Sequence, residues 1–410
     1  MKLRNDCNAI VQEALTQVQP DAAVARALAG RSFGGGKLIL VSTGKAAWSM
    51  ANAAWACLER KPDAGIVITK YDHSKGEIGT LEIYEAAHPV PDENTFSATK
   101  RALEITEGLT AEDTVIFLLS GGGSALFEKP LVSGEEMQDV TQQLLASGAD
   151  IVEMNTIRKR LSGVKGGRFA QHCAPAKVLS VVLSDIIGDP LDMIASGPAY
   201  PDNSTCEQAL DIVRRYDMKF SEQAMALLAQ ETPKVLDNVE TQVNGSVREL
   251  CNAAAKACVK LGYEPIILTD CLTCQAREAG DFLASIARTY QNTEKPLAFL
   301  AGGETVVHLK GTGLGGRNQE LALSAAMGIA GLDRTAVFSV GSDGTDGPTE
   351  AAGGFVTGET AGILAEKGIK IFDVLANNDA YHGLQACDGL IMTGATGTNV
   401  NDVAVLLIDR

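Results

Sequence analysis

Apolar residues in this chain fall into short runs separated by polar, glycine-rich turns, and the runs alternate between two periods. Ile10, Val11, Ala14, Leu15 and Val18, followed by Val24 and Leu28, recur at helical spacing. Residues 37–41 (KLILV) form a continuous apolar run that predicts a buried strand, leading through a turn into an Ala-rich helix. The same rhythm predicts strands at 66–69, 114–119 and 177–183, a helix at 94–109 and a helical stretch at about 135–169. Residues 200–240 carry two polar helices and Pro233, which reads as a domain edge. From Gly245 the alternation restarts, with a helix to Leu261, a strand at 265–268, a helix to Tyr290 and strands at 297–300 and 305–310. A helix at 318–329 and strands at 336–340 and 403–408 complete it. Strands alternating with helices predict a mostly parallel sheet covered on both faces. The fold class is therefore α/β, with one domain at 1–240 and a second at 241–410.

Composition narrows the function. A length of 410 residues suits two domains, and 45% hydrophobic against 21% charged residues supplies ample core. The formal charge of −16 argues against a nucleic-acid or membrane partner, since both need a broad basic face. A small phosphorylated ligand needs only a few focused cations and remains compatible. No apolar run reaches the length of a membrane span and residues 1–10 lack a signal-type core, so a cytoplasmic address is expected. Nine scattered cysteines suggest reduced thiols. The CLTC pair, Cys271 and Cys274, has no second pair to complete a zinc site and reads as structural.

In open α/β sheets chemistry gathers beyond the carboxyl ends of strands. After residues 37–41 comes STGKAAW, which puts Gly44 and Lys45 at a helix start where free N–H groups attract anions. This is no P-loop, because GRSFGGGKL misses that pattern by one register and lacks its hydroxyl. After 114–119 comes SGGGSA, where Ser120, Gly121, Gly122, Gly123 and Ser124 offer bare backbone and hydroxyls to phosphate. After 177–183 comes SDIIGDPLD, whose Asp185 and Asp189 are candidate metal ligands or bases. After 305–310 comes GTGLGGRNQE, a formal GxGxxG that is the best sign of a nicotinamide enzyme. Its last glycines, Gly315 and Gly316, are phosphate candidates. Arg317, at a helix start that disfavours cations, asks for an anionic partner. Asp343 in GSDGTDG joins the metal candidates, and Thr393, Gly394, Thr396, Gly397, Thr398 and Asn399 form a hydroxyl-rich loop suited to phosphate. His88 in a Pro-rich turn reads as structural, with a substrate contact as the alternative. Arg158, Lys159, Arg160 and Lys165 read either as a solvated helix face or as a contact for a substrate carboxylate. Asn155 is either a cap or a ligand.

Taken together, LLSGGGSALFEKP, NTIRKRLSGVKGGRFA, LSDIIGDPLDMIASGP, GGETVVHLKGTGLGGRNQELAL, SDGTDGPTEAAGG and TGATGTNVNDVAV resemble the glycerate 2-kinases with a C-terminal MOFRL domain. The motifs occur in that family's order over nearly the whole chain. The resemblance implies a Rossmann-like N-terminal domain, a distinct α/β C-terminal domain and an active-site cleft between them. It implies Mg²⁺-dependent transfer of the ATP γ-phosphoryl group to the C2 hydroxyl of D-glycerate. The family's catalytic lysine and arginine fall on Lys45 and Arg317. Asn155, Arg160, Glu304 and Asn318, all within these motifs, are the substrate-binding candidates. A homodimer is the base-rate expectation. The rival readings are an NAD(P)H-dependent hydroxypyruvate reductase, resting on GTGLGG, and a catalytically silent sugar-acid binding protein.

Overall fold

The computed structural model describes residues 1–184, 186–188 and 191–410. They form two compact units. The N-terminal unit begins at Val24 and ends at Asn244. Its strands are β1 (Leu38–Thr43), β2 (Ala64–Lys70), β3 (Glu82–Ala86), β4 (Thr114–Leu119), β5 (Lys177–Leu183) and β6 (Val239–Gly245), in spatial order β3-β2-β1-β4-β5-β6. Strands β3, β2, β1, β4 and β5 are mutually parallel. β1 is buried along its whole length, which is why its apolar run is continuous rather than alternating. The chain order reverses between β1 and β4, so the crevice for a ligand opens beyond those two strands. The outer strands β3 (EIYEA) and β6 (VETQVNG) are half-exposed and polar, and carry no comparable apolar run.

The helical stretch expected at 135–169 is three helices, Gly134–Ser147, Ile151–Arg160 and Arg168–Cys173. Gly148 ends the first in the left-handed conformation, and Asp150 starts the second through a reciprocal capping box with Glu153. Phe117, Phe127 and Phe169 pack ring against ring at 4.8–5.7 Å and join β4 to the segments on either side.

The C-terminal unit contains β7 (Glu264–Leu272), β8 (Leu297–Gly303), β9 (Thr335–Gly341), β10 (Gly353–Thr357), β11 (Leu390–Ile391) and β12 (Asp402–Ile408), ordered β11-β10-β9-β12-β8-β7. Only β7 and β8 pair in parallel; β12, last in sequence, inserts between β8 and β9 and runs antiparallel to both. The mostly parallel sheet therefore belongs to the N-terminal unit, and this one is mixed. The strand expected at 305–310 is absent: Val306 makes one bridge to Gln275, and Leu309 lies 79% exposed.

Helices Lys2–Gln17 and Val247–Lys260 cover one face of this second sheet, and helices Ala276–Thr289 and Arg317–Gly328 the other. Met1–Ala23 thus belong to the C-terminal unit, so the division expected at 240/241 differs at the amino terminus. The cause is the apolar stripe Cys7, Ile10, Val11, Ala14, which packs on Leu250, Ala254 and the sheet. Lys2 adds polar anchors, donating to Asp6 and Asp409 at 2.9 Å each. No helix among the described residues is long and apolar enough to cross a membrane.

Ile10 is fully buried in this contact. Ile10→Ala is expected to lower stability by about 2–4 kcal/mol in urea unfolding. Substitution of Gln12 on the exposed face should change it by less than about 0.5 kcal/mol.

Candidate active site

In the N-terminal unit the exits of β1 and β4 are bonded to one another. Ser120 N donates to Thr43 O (3.0 Å), Lys45 N to Gly121 O (2.9 Å) and Ala46 N to Ser120 Oγ (3.1 Å). Gly44, at φ +118°, fits only because it lacks a Cβ, which would stand 2.2 Å from Ser120 Oγ. Gly122 is likewise left-handed, and a Cβ there would meet His88 and the Lys45 stem at 3.1 Å. Lys45, half-buried, makes no ion pair among the described residues. Burial, reinforced by the Lys45 charge, holds the His88 imidazole below its usual pKa and so neutral near pH 7. Thr43 Oγ1 is buried at the same exit without a hydrogen-bond partner.

The β4 turn extends to Asn155. Ser124 Oγ lies 3.4 Å from Ser196 Oγ, which donates to Asn155 Oδ1 at 2.8 Å. Ala195 and Ser196 adopt positive φ values of 49° and 60°, a strained pair that holds this hydroxyl beside the turn. Asn155 sits mid-helix and is not a cap. Arg160 is fully buried and engaged by Thr156 O, Ser204 Oγ and O, and Glu231. It braces the unit instead of meeting substrate, because it is fully buried and both of its terminal nitrogens are already engaged.

In the C-terminal unit the antiparallel insertion of β12 sets its first residue, Asp402, beside Gly303 and Gly341, the last residues of β8 and β9. Arg317 opens the helix above this edge. Its Nε and Nη2 donate to the two oxygens of Asp402 at 2.5 and 3.0 Å, and its Nη1 lies 3.2 Å from Glu304 Oε1. The helix N-cap is Gly316, with no side chain to offer, so Asp346 serves instead and accepts from Asn318 N (3.2 Å) and Gln319 N (2.9 Å). Burial pushes the Asp346 carboxyl up to about 7 despite these donors. Burial also raises Asp402, against the pull of Arg317.

Loops 341–347 and 393–401 interlock below. Thr396 Oγ1 donates to Ser342 O (2.5 Å), Val400 N to Ser342 Oγ (2.7 Å), and a Cβ on Gly344 would lie 2.0 Å from Gly394 O. Gly394 and Gly397, both at positive φ, have open space on their side-chain face.

These two strand-exit sites lie in a chain with clear relatives. A family model described as a domain of unknown function (DUF4147) matches residues 6–229, and the MOFRL family model matches 297–402. A protein named D-glycerate 2-kinase from Thermotoga maritima is 52% identical, with 97% of each chain covered. One named glycerate 2-kinase from Pyrococcus horikoshii is 39% identical, covering 91% of this chain and 88% of that one. The crystal structure of glycerate kinase from Thermotoga maritima superimposes with a TM-score of 0.94 at 50% identity over 99% of both chains. This chain belongs to the glycerate 2-kinase family with a C-terminal MOFRL domain.

The name "putative hydroxypyruvate reductase" also occurs, on an Agrobacterium vitis protein 38% identical over 97% of this chain and 93% of that one. In this glycerate 2-kinase family member the GTGLGG turn offers a dinucleotide little. The N–H groups of Gly311, Thr312, Gly313 and Leu314 already donate to Asn378, Asn377 and Asp379 at 2.9–3.1 Å. Gly315 and Gly316 are spacers: a Cβ on Gly316 would stand 2.3 Å from the Asp346 carboxyl, and one on Gly315 would crowd Ala380 at 3.2 Å.

Two further expectations are corrected by burial. Asn318 is 1% exposed and ties Ser339 Oγ (2.5 Å) to Asp346 (3.3 Å). Thr398 is 6% exposed and donates to Val18 O at 3.0 Å. Both are interior struts. Glu304 is exposed beside Arg317, Thr393 and Asn399 lie on the open loop, and Asp343 Oδ1 accepts from Thr345 N (3.1 Å) while Oδ2 makes no bond among the described residues. Asp185 and Asp189 lie outside the described residues. Sequence reasoning missed Asp402 and passed over Asp346 as a ligand of the backbone. Asp402 lies in the TGATGTNVNDVAV motif at the start of an apolar strand, and only its register against β8 and β9 reveals its place beside Arg317.

Asp346 gives a pH signature. Its folded value of about 7 exceeds the usual carboxylate value near 4, so between those limits the folded state holds a proton that the unfolded chain lacks. Its contribution to stability therefore grows as pH falls through 7 and fades as pH rises. In urea unfolding from pH 5 to 8, Asp346→Asn should remove a slope of at most about 1.4 kcal/mol per pH unit.

Proposed function

We propose that this chain transfers the γ-phosphoryl group of ATP to the C2 hydroxyl of D-glycerate, giving 2-phosphoglycerate and ADP. The observation that carries the reading is full-length likeness, at 52% identity, to a protein named D-glycerate 2-kinase. The geometry agrees with it. Phosphoryl transfer asks chiefly for positioning and for cations placed where charge develops. Lys45 is a cation without an ionic partner among the described residues, and it stands at the reversal point of a parallel sheet beside bare glycine backbone. Arg317 is fixed by Asp402 along one edge of its guanidinium, and Nη1, 3.2 Å from the exposed Glu304 but not hydrogen-bonded to it, is the nitrogen an oxyanion would engage.

In this reading Gly44 and Ser120–Ser124 receive phosphate oxygens, and the open backbone at Gly394 and Gly397, with Thr393, Thr396 and Asn399, offers a second cradle. Asn155, joined through Ser196 to the β4 turn, is the candidate contact for a glycerate hydroxyl in the N-terminal unit, and Glu304 that in the C-terminal unit. Mg²⁺ on a nucleotide is held largely by phosphates and one or two carboxylates, so a protein cage of three is not required. Among the described residues no such cage exists, and the free oxygen of Asp343 fits the smaller demand. We assign Asp343, together with Asp185 and Asp189, to this role; the ion when bound neutralises phosphate charge. A cytoplasmic address and a homodimer belong to the same reading.

Purified protein incubated with D-glycerate, Mg²⁺ and ATP should give a 2-phosphoglycerate resonance in phosphorus NMR with matching ADP release. A 3-phospho product would overturn the regiochemistry, and NADH oxidation by hydroxypyruvate without ATP consumption would overturn the class. Lys45→Ala and Arg317→Ala should each lower kcat by about 10² or more with melting temperature preserved.

A further inference from the structure

Segment 158–165 carries four cations, and three of them are neutralised inside the protein. Lys159 is 2% exposed and lies 3.2 and 3.1 Å from Asp192 and Asp202. Arg160 lies 3.7 Å from Asp202 and 3.3 Å from Glu231. Lys165, wholly buried, bonds Glu128. Arg158 differs. It is half-buried, yet it makes no hydrogen bond or ion pair among the described residues. Burial lowers its pKa, and among the described residues the carboxylate whose field it feels is Glu128, already claimed by Lys165. Among the described residues, two cations against one carboxylate leave this corner with an excess positive charge.

A guanidinium partly withdrawn from water without a counter-ion is unfavourable by itself, and it is retained where a ligand supplies the anion. Its place in the fold says which ligand. Arg158 stands one helical turn after Asn155, on the same side of helix Ile151–Arg160. Asn155 is joined through Ser196 to Ser124 in the β4 turn. The planar fork of an arginine matches a carboxylate at two points, while the compact ammonium of Lys45 and the glycine backbone suit phosphate oxygens.

We propose that Arg158, rather than the expected substrate-binding Arg160, is the member of this cluster that receives the carboxylate of the acceptor hydroxy acid. This rests on the glycerate kinase reading above. It makes Arg158 the group that separates hydroxy acids from uncharged alcohols of the same size.

The test compares D-glycerate with its neutral amide, D-glyceramide, as acceptors for wild type, Arg158→Met and Arg158→Lys. Wild type should prefer the acid by about 10²-fold or more in kcat/KM. In Arg158→Met that preference should collapse to within about threefold, with KM for ATP held within about twofold and melting temperature unchanged or raised. Arg158→Lys, which keeps the charge and loses the fork, should retain a reduced preference of about tenfold, and it decides the matter if the Met variant does not fold. Equal losses on both acceptors, or a preference that survives in both variants, would overturn the assignment. A rise in KM for ATP alone would move Arg158 to the nucleotide phosphates and overturn it too. If wild type phosphorylates neither acceptor, the kinase reading itself fails, an outcome distinct from wild-type turnover with unaltered preference in the variants.

Discussion

An ion taken out of water needs a counter-ion, and this one constraint sorts the charged residues of both units. Where the counter-ion is a neighbouring carboxylate, as for Lys159, Arg160 and Lys165, the cation becomes part of the scaffold. Where it is missing, as for Lys45 and Arg158 among the described residues, the cation is left for something the chain does not supply. Arg317 sits between these cases. Asp402 fixes two of its nitrogens, and the exposed Glu304 faces a third without a hydrogen bond. Such a group has its direction set in advance, so little ordering remains to be done when an anion arrives.

Sheet topology decides where these charges stand. In the N-terminal unit a parallel sheet delivers β1 and β4 side by side and lets their exits bond each other. In the C-terminal unit a strand of opposite sense does the equivalent work, since the start of β12 coincides with the ends of β8 and β9. Two different architectures thus reach the same local result, a strand terminus from which a cation projects beside glycine-rich backbone.

The parts legible in the sequence were those written in local pattern. The apolar runs of β1, β4 and β5 announced buried parallel strands, and the Gly-Lys and Gly-Gly-Arg junctions announced helix starts. The rest depends on partners distant in the chain. β3 and β6 lie at sheet edges where polar residues are tolerated, so no period marks them. The segment 305–310 alternates like a strand but has no neighbouring edge to pair along. Arg160 and Arg158 are two residues apart in one helix, and nothing local says which of them turns toward Ser204 and which stays unmatched. GTGLGG matched a dinucleotide turn in spelling, while Asn377, Asn378 and Asp379, more than sixty positions later, take up its N–H groups.

The central position of β12 has a consequence for how the molecule is made. The N-terminal unit is drawn from residues 24–184 and 189–244, so all its strands have been synthesised once residue 245 has emerged. The C-terminal unit uses the first helix of the chain and, as an inner strand of its sheet, nearly the last residues. β8 and β9 therefore cannot acquire their shared neighbour until residues 402–408 have been synthesised. Until then the sheet face on which Ile10 and Val11 pack is incomplete, so this stripe is made long before the last strand that buries it.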